Sequence, residues 1–190
     1  MKKITAIIAL LLTCFSTQIL ATTVDIKDVQ VPEPTFKGTI SPIFKLDQFG
    51  NGVLTVVGGR LNAVIKNMFL VGIGAQGAVG QTDLMVNDRT EDISYFMGGI
   101  GAGFRLFPDR IFHLSQYNTL GLAYLNLHGR GQKAIAYVLE PEINAEIDVL
   151  SMCRIGAGLS YRLMTSPNID VPSSKLFGLN GQIFVEFSWL

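Results

Sequence analysis

Beyond its first 21 residues the chain has no apolar run approaching the roughly 20 residues that a helix needs to cross a bilayer. That absence excludes an ordinary helical membrane protein. Cysteine is nearly missing, with Cys14 and Cys153 alone, so the disulfide framework that staples many small secreted domains is not available. Neither sign of charge is in excess, because 15 Lys and Arg balance 15 Asp and Glu. Nothing in that balance points to a nucleic-acid partner.

Apolar side chains, by contrast, are plentiful. Hydrophobic residues make up 48% of the 190 positions and the mean hydropathy is +0.37, which is oily for one soluble domain. The opening segment "MKKITAIIALLLTCFSTQILA" joins two lysines to an apolar stretch from Ile4 to Leu12 and ends on Ile19-Leu20-Ala21. This is the layout of a secretory signal peptide spanning residues 1–21 and cleaved after Ala21. A lipoprotein reading of Cys14 is disfavoured, since lipid attachment wants a very small residue before the cysteine and Thr13 stands there. Cleavage discards Cys14, Lys2 and Lys3, takes the formal charge from 0 to −2 and leaves Cys153 as a small apolar residue. Residues 22–35, with Pro32 and Pro34, form a periplasmic lead-in, and 36–190 form one domain.

The periodicity of that domain is two. In "ISYFMGGIGAGFRLF" the even positions Phe96, Gly98, Ile100, Ala102, Phe104 and Leu106 oppose Tyr95, Met97, Gly99, Gly101, Gly103 and Arg105. "MCRIGAGLSYRLM" sets Ile155, Ala157, Leu159, Tyr161 and Leu163 against Arg154, Gly156, Gly158, Ser160 and Arg162. "IAYVLEPEINAEI" sets Ile135, Tyr137, Leu139, Ile143 and Ile147 against Glu140, Glu142, Asn144 and Glu146. Alternation sustained this long indicates β-strands and excludes helix. Eight strands are predicted, at about 36–46, 52–65, 68–80, 93–107, 113–127, 134–147, 152–165 and 177–189. The fifth is the least regular, because neither face of "HLSQYNTLGLAYLNL" is cleanly apolar. Pro141 removes a ladder donor from the sixth, where a bulge would accommodate it.

Connections alternate between short ones, at Lys66-Asn67, Pro108-Asp109 and 148–151, and longer polar ones, "LDQFGNG", "QTDLMVNDRTED", "HGRGQK" and "TSPNIDVPSSK". Short turns at one end and long loops at the other is the plan of a bacterial outer-membrane barrel with both termini on the periplasmic side. A soluble barrel with its apolar face turned inward is the rival. Three features favour lipid outside. The polar face carries Arg and Glu but almost no Lys, that face is crowded with glycine as a narrow lumen requires, and the strands match the roughly 9–11 residues of a tilted crossing. The expected fold class is therefore all-β, an eight-stranded antiparallel up-and-down transmembrane β-barrel preceded by a cleaved signal peptide and located in the bacterial outer membrane.

On this plan Arg60, Arg105, Arg154 and Arg162 share the interior with Glu140, Glu142, Glu146 and Glu186, and they must pair, because isolated charges there are costly. Arg154 is expected near Glu142 and Glu146, with Glu186 on its other side. Eight strands enclose a space that side chains just fill, so the interior reads as a plug of ion pairs.

"VGIGAQGAVG" contains Gly72-x-Gly74-x-x-Gly77, the literal dinucleotide-binding fingerprint. That motif needs a strand, then glycines opening a helix, then an acidic residue about 20 positions on. Here the segment is itself a strand and no helix follows, so the match is coincidental. No cofactor, metal site or catalytic set is expected.

The last strand, "FGLNGQIFVEFSWL", alternates to the end of the chain. Its Phe187, Trp189 and Leu190 resemble the C-terminal signal by which outer-membrane barrels are recognised by their assembly machinery, with Leu190 a departure in following the aromatic residue. The whole mature chain resembles the small eight-stranded outer-membrane β-barrel proteins of Gram-negative bacteria. Over residues 40–190, "SPIFKL", "VVGGRLNAVI", "VLEPEINAEI" and "RIGAGLSYRL" resemble a group of predicted outer-membrane β-barrel proteins without known activity. The resemblance implies a monomer whose partners are outer-membrane lipid, lipopolysaccharide and the assembly machinery.

Two functions of different kind are compatible with these residues. The first is non-enzymatic, envelope structure or binding through extracellular loops such as 81–92 with Asp83, Asp88, Glu91 and Asp92, or the loop of His128, Arg130 and Lys133. The second is a lipid A deacylase-like enzyme, suggested by His113-x-Ser115, which a strand would place on one face. That pair follows a short periplasmic turn, away from the outer leaflet, and no carboxylate is evidently aimed at His113. A narrow channel for small solutes is a third reading.

Overall fold

The structure is a computed structural model that describes residues 36–49, 52–80, 82–86, 89–128, 131–166 and 176–189, with the backbone alone for 82–91. The segments read as signal peptide, 1–21, and lead-in, 22–35, lie outside the described residues, as does Leu190. Nine strands occur in chain order: β1 Phe36–Phe49, β2 Gly52–Ile65, β3 Phe69–Val79, β4 Thr82–Val86, β5 Arg89–Leu106, β6 Phe112–Leu127, β7 Gln132–Leu150, β8 Cys153–Thr165 and β9 Gly178–Trp189. All pairings are antiparallel. The sheet runs β3-β2-β1-β9-β8-β7-β6-β5, and β3 pairs back onto β5 from Phe69↔Phe104 to Gly77↔Phe96. Eight strands thus close into an up-and-down barrel with no free edge around its waist.

β4 is the strand that periodicity did not reveal. It pairs with the far end of β5, from Thr82↔Ile93 to Val86↔Arg89, so the described part of "QTDLMVNDRTED" is paired strand rather than loop. "LDQFGNG" is not a long loop either. β1 continues to Phe49 and meets Gly52 directly across the hairpin, and Leu127 likewise meets Gln132. The polarity of these segments misled because both ends of a long strand that rises into water carry polar residues.

At the opposite end the turns are tight and tied to neighbours. Lys66 and Asn67 both adopt the left-handed conformation that a short hairpin turn demands. Phe107 is also left-handed, with φ 59°, an unusual state for a bulky residue. Its carbonyl accepts from the Arg110 amide at 3.0 Å and from His113 Nδ1 at 2.9 Å, which holds the turn. Pro141 needs no bulge, since Leu139↔Leu163 and Glu142↔Ser160 keep one register on either side of two skipped pairs. The irregularity lies instead between Asp148 and Leu150.

The alternation sorts the side chains cleanly. Outward lie Phe44, Leu61, Ile73, Ile100, Leu120, Ile143, Leu159 and Ile183, all exposed. Aromatic residues collect at the two margins of this apolar belt. Trp189, Phe36, Phe69 and Phe112 sit toward the tight turns, while Phe96, Tyr124, Tyr137 and Tyr161 sit toward the hairpins. Such girdles mark the two interfaces of barrels that stand in lipid.

Candidate functional site

Among the described residues, chemistry-bearing side chains converge in the barrel interior. Nearest the tight turns, Arg105 of β5 reaches Glu146 at 2.8 Å and Glu186 at 2.9 Å. Arg154 of β8 meets Glu186 at 3.0 Å, Glu146 at 3.6 Å and Asp148 at 2.6 Å. One level up, Arg60 pairs with Glu142 at 2.7 Å and stacks 4.2 Å above the Tyr117 ring. The Tyr117 hydroxyl donates to Asn62 Oδ1 at 2.9 Å. Next, Lys45 Nζ lies 2.7 Å from Glu140, which also accepts from Gln76 at 3.1 Å, from Asn180 at 3.0 Å and from Ser160. Highest, Arg162 pairs with Asp47, and Asp47 accepts from the Tyr95 hydroxyl.

Each of these charges faces an opposite charge at hydrogen-bond distance. The cations Lys45, Arg60, Arg105, Arg154 and Arg162 meet the carboxylates Asp47, Glu140, Glu142, Glu146 and Glu186. Charge-assisted bonds of this kind offset the large desolvation cost of the separate ions. Two details differ from the sequence expectation. Arg154 does not meet Glu142, which belongs to Arg60, because the tilt of β7 across its neighbours carries Glu142 a level higher. Arg162 takes Asp47, which lies on β1 because that strand continues to Phe49 instead of giving way to a loop at 46. Lys45 and Asp47 could have been found by continuing the alternation Thr39, Ser41, Ile43, Lys45, Asp47, Phe49, all buried.

Above Arg162 the lumen changes character. Phe49, Leu54, Val56, Ile93, Tyr95, Met97, Leu125, Leu127, Val138, Met164 and Leu176 pack into one buried apolar cluster. At this height polar residues such as Gln48 on β1 and Lys133 on β7 join apolar ones such as Val53 and Ile135 on the outer face. The interior is therefore largely polar along the waist and reverses to apolar at the hairpin end. This reversal explains the irregular "HLSQYNTLGLAYLNL". Its inward residues run from His113, Ser115 and Tyr117 to Ala123, Leu125 and Leu127, so neither face is of one kind throughout.

The glycines of the fingerprint segment serve this packing. A Cβ on Gly72 would strike the Leu61 carbonyl and the Asn62 side chain, and one on Gly101 would enter the Tyr117 ring. Gly101→Val should therefore destabilise the barrel by about 1–3 kcal/mol through overpacking. Its heat-induced unfolding on a gel should move to lower temperature, and adding Tyr117→Leu should restore part of the loss.

His113 and Ser115 do share a face, but it is the interior one, and both are buried. His113 is flanked by the Phe107 carbonyl and by Asp148 Oδ2 at 2.8 Å, and Ser115 donates to Glu146. A carboxylate is thus aimed at His113 after all, supplied by the irregularity of β7 at Asp148. The serine hydroxyl is committed to a carboxylate rather than to the imidazole, so the pair lacks the nucleophile–base contact of a hydrolase. Tyr117, on the same face, points inward under Arg60. Phe187 and Trp189 face outward on the last strand. The side chains of Asp83, Asp88 and Glu91, and all of Arg130, lie outside the described residues. His128 stands 3.1 Å from Ser94 Oγ at the hairpin end.

A cavity of about 340 Å³ opens at the tight-turn end, lined by Lys37, Asn67, Arg105, Asp148, Arg154 and Ser188 among others. Two smaller spaces farther up the axis hold about 10 and 20 Å³.

No family model matches the chain, and no curated protein matches it in sequence. Among solved structures, Neisserial surface protein A is 13% identical, with 80% of this chain and 96% of that chain covered at a TM-score of 0.52. Ail, the attachment invasion locus protein of Yersinia pestis, is 14% identical over 81% of this chain and 97% of that one, at 0.44. Its complex with the heparin analogue sucrose octasulfate gives 13%, 83%, 99% and 0.48. The fold is that of the small eight-stranded outer-membrane β-barrels of Gram-negative bacteria.

Proposed function

We propose that the chain is an exported integral outer-membrane protein that neither catalyses a reaction nor conducts solutes, and that it acts through what its hairpin end presents outside the cell. The observation carrying this reading is the filled axis. Four ion-paired levels are followed by an apolar cluster. A solute following the axis would have to break several buried ion pairs at once, each costly to separate. The belt of exposed Leu, Ile, Val and Phe supports lipid as the surrounding medium, because a water-soluble monomer does not carry so continuous an apolar surface. Outer-membrane lipid and lipopolysaccharide are then its immediate partners, with Lys133 and His128 near the outer headgroups. Phe187, Trp189 and Leu190 are the segment offered to the assembly machinery.

Two measurements test this together. The membrane-fraction protein should run faster unheated than boiled, as closed barrels do, and planar bilayers containing it should show no unitary conductance above the lipid control. Absence of the mobility shift would refute the membrane barrel. Discrete, reproducible channel openings would refute the plug.

A further inference from the structure

The outer face of β6 reads Phe112, Leu114, Gln116, Asn118, Leu120, Leu122 and Tyr124, so two amides stand in the middle of the apolar belt, with Asn118 at its midpoint. Neither side chain makes a hydrogen bond among the described residues, and Gln116 Oε1 is buried without a partner. Their lateral neighbours are Phe104 and Ile143 at the level of Gln116, and Ala102 and Pro141 at the level of Asn118. None can donate or accept a side-chain hydrogen bond. Acyl chains cannot either, and unsatisfied amides at mid-depth in hydrocarbon are expensive. Beside them, on the β3–β5 side, lies an outward groove of about 440 Å³ lined by Val71, Ile73, Ile100, Ala102, Asn118 and Leu120. On the other side stands Ile143, 67% exposed.

We infer that this face binds a second copy of the chain, about a two-fold axis that runs along the membrane normal through β6. The reading rests on the membrane placement proposed above. Three features select a second copy over another partner. A two-fold axis along the normal keeps both copies in the same orientation and brings each Asn118 to the depth of its mate. A carboxamide carries donor and acceptor together, so it is complementary to itself. The rotation also sets the Ile143 ridge of each copy against the groove of the other, as an isologous interface requires. A dimer thus replaces the monomer expected from the sequence. Side-chain amide contacts between membrane segments are individually weak, so the pair is reversible.

The test is disulfide capture in the intact membrane. Asn118→Cys is made in a Cys153→Ser background, with Phe44→Cys on β1, diametrically opposite in the barrel, as control. Oxidation should link Asn118→Cys chains into a band of twice the chain mass and leave Phe44→Cys chains single. Separately, the Gln116→Leu, Asn118→Leu double variant should weaken self-association in vesicles by about tenfold or more while keeping the heat-dependent mobility shift. No linkage at 118 in a protein that shows the shift overturns the dimer. So does equal linkage at both positions, or an adduct with a different protein. Loss of the shift itself would overturn the membrane reading instead.

Discussion

Arg162→Ala should lower the stability of the barrel more than removal of any other arginine. Its guanidinium is 0% exposed, and each of its three nitrogens has a partner. It pairs with Asp47, donates to the Leu176 carbonyl at 3.2 Å and to the Gln48 carbonyl at 3.0 Å, and stacks 4.3 Å from the Phe49 ring. Truncation leaves the Asp47 carboxyl buried beside the apolar cluster without its cation, with the Tyr95 hydroxyl as its remaining close partner. Breaking a buried pair from one side costs about 3–5 kcal/mol. Arg162→Lys should recover only part of this, since an ammonium cannot span both carbonyls and the carboxylate as the planar fork does. Arg154→Ala, by contrast, acts at the rim of the open cavity, where water can take over, and should cost about 1 kcal/mol. Unfolding temperatures from gel mobility or tryptophan emission rank the three. Equal losses for Arg162→Ala and Arg154→Ala would contradict a plug that is dry at its top and wet at its base.

Glu140→Leu should be comparably damaging and, unlike Arg162→Ala, repairable. Glu140 is the acceptor for Lys45, Gln76, Ser160 and Asn180 at once. Leucine leaves a buried ammonium and three side-chain donors facing hydrocarbon, a loss of about 3–5 kcal/mol. Adding Lys45→Met removes the orphaned charge. Replacing both members of a buried pair by apolar groups is often neutral or stabilising, so the double variant should regain most of the unfolding temperature. A double variant no better than Glu140→Leu alone would mean that the amide and hydroxyl donors, not the Lys45 charge, dominate the cost. The conductance of the repaired barrel should stay at the lipid baseline, because the plug at Phe49, Leu54 and Leu125 is untouched.

Both predictions depend on levels of side chains that cross several strands, and there the reach of the sequence ends. Strand identity was legible because the period-two alternation is a local property of each segment, read at Ile93–Leu106 or Cys153–Thr165 without knowing any neighbour. Which arginine meets which carboxylate depends on shear, the stagger of strands around a closed barrel. Asp47 and Arg162 are 115 positions apart in the chain, and no local pattern links them. β4 escaped for a related reason, since a short strand outside the belt has water on one side and lacks a long alternating run.

By itself, then, the sequence determined an all-β chain with eight long strands, tight turns at one end, an apolar face and a charged face, and glycines where the lumen is narrow. These follow from hydrophobic period and turn chemistry, which act over a few neighbouring residues. Only the tertiary structure decided that the interior changes from ion pairs to an apolar cluster, that Lys45 and Asp47 belong to the network, that His113 clasps the Phe107 turn, and that two amides stand unpaired in the middle of the outer belt. Each of these depends on barrel closure, which brings distant strands into contact and decides which surfaces remain without partners.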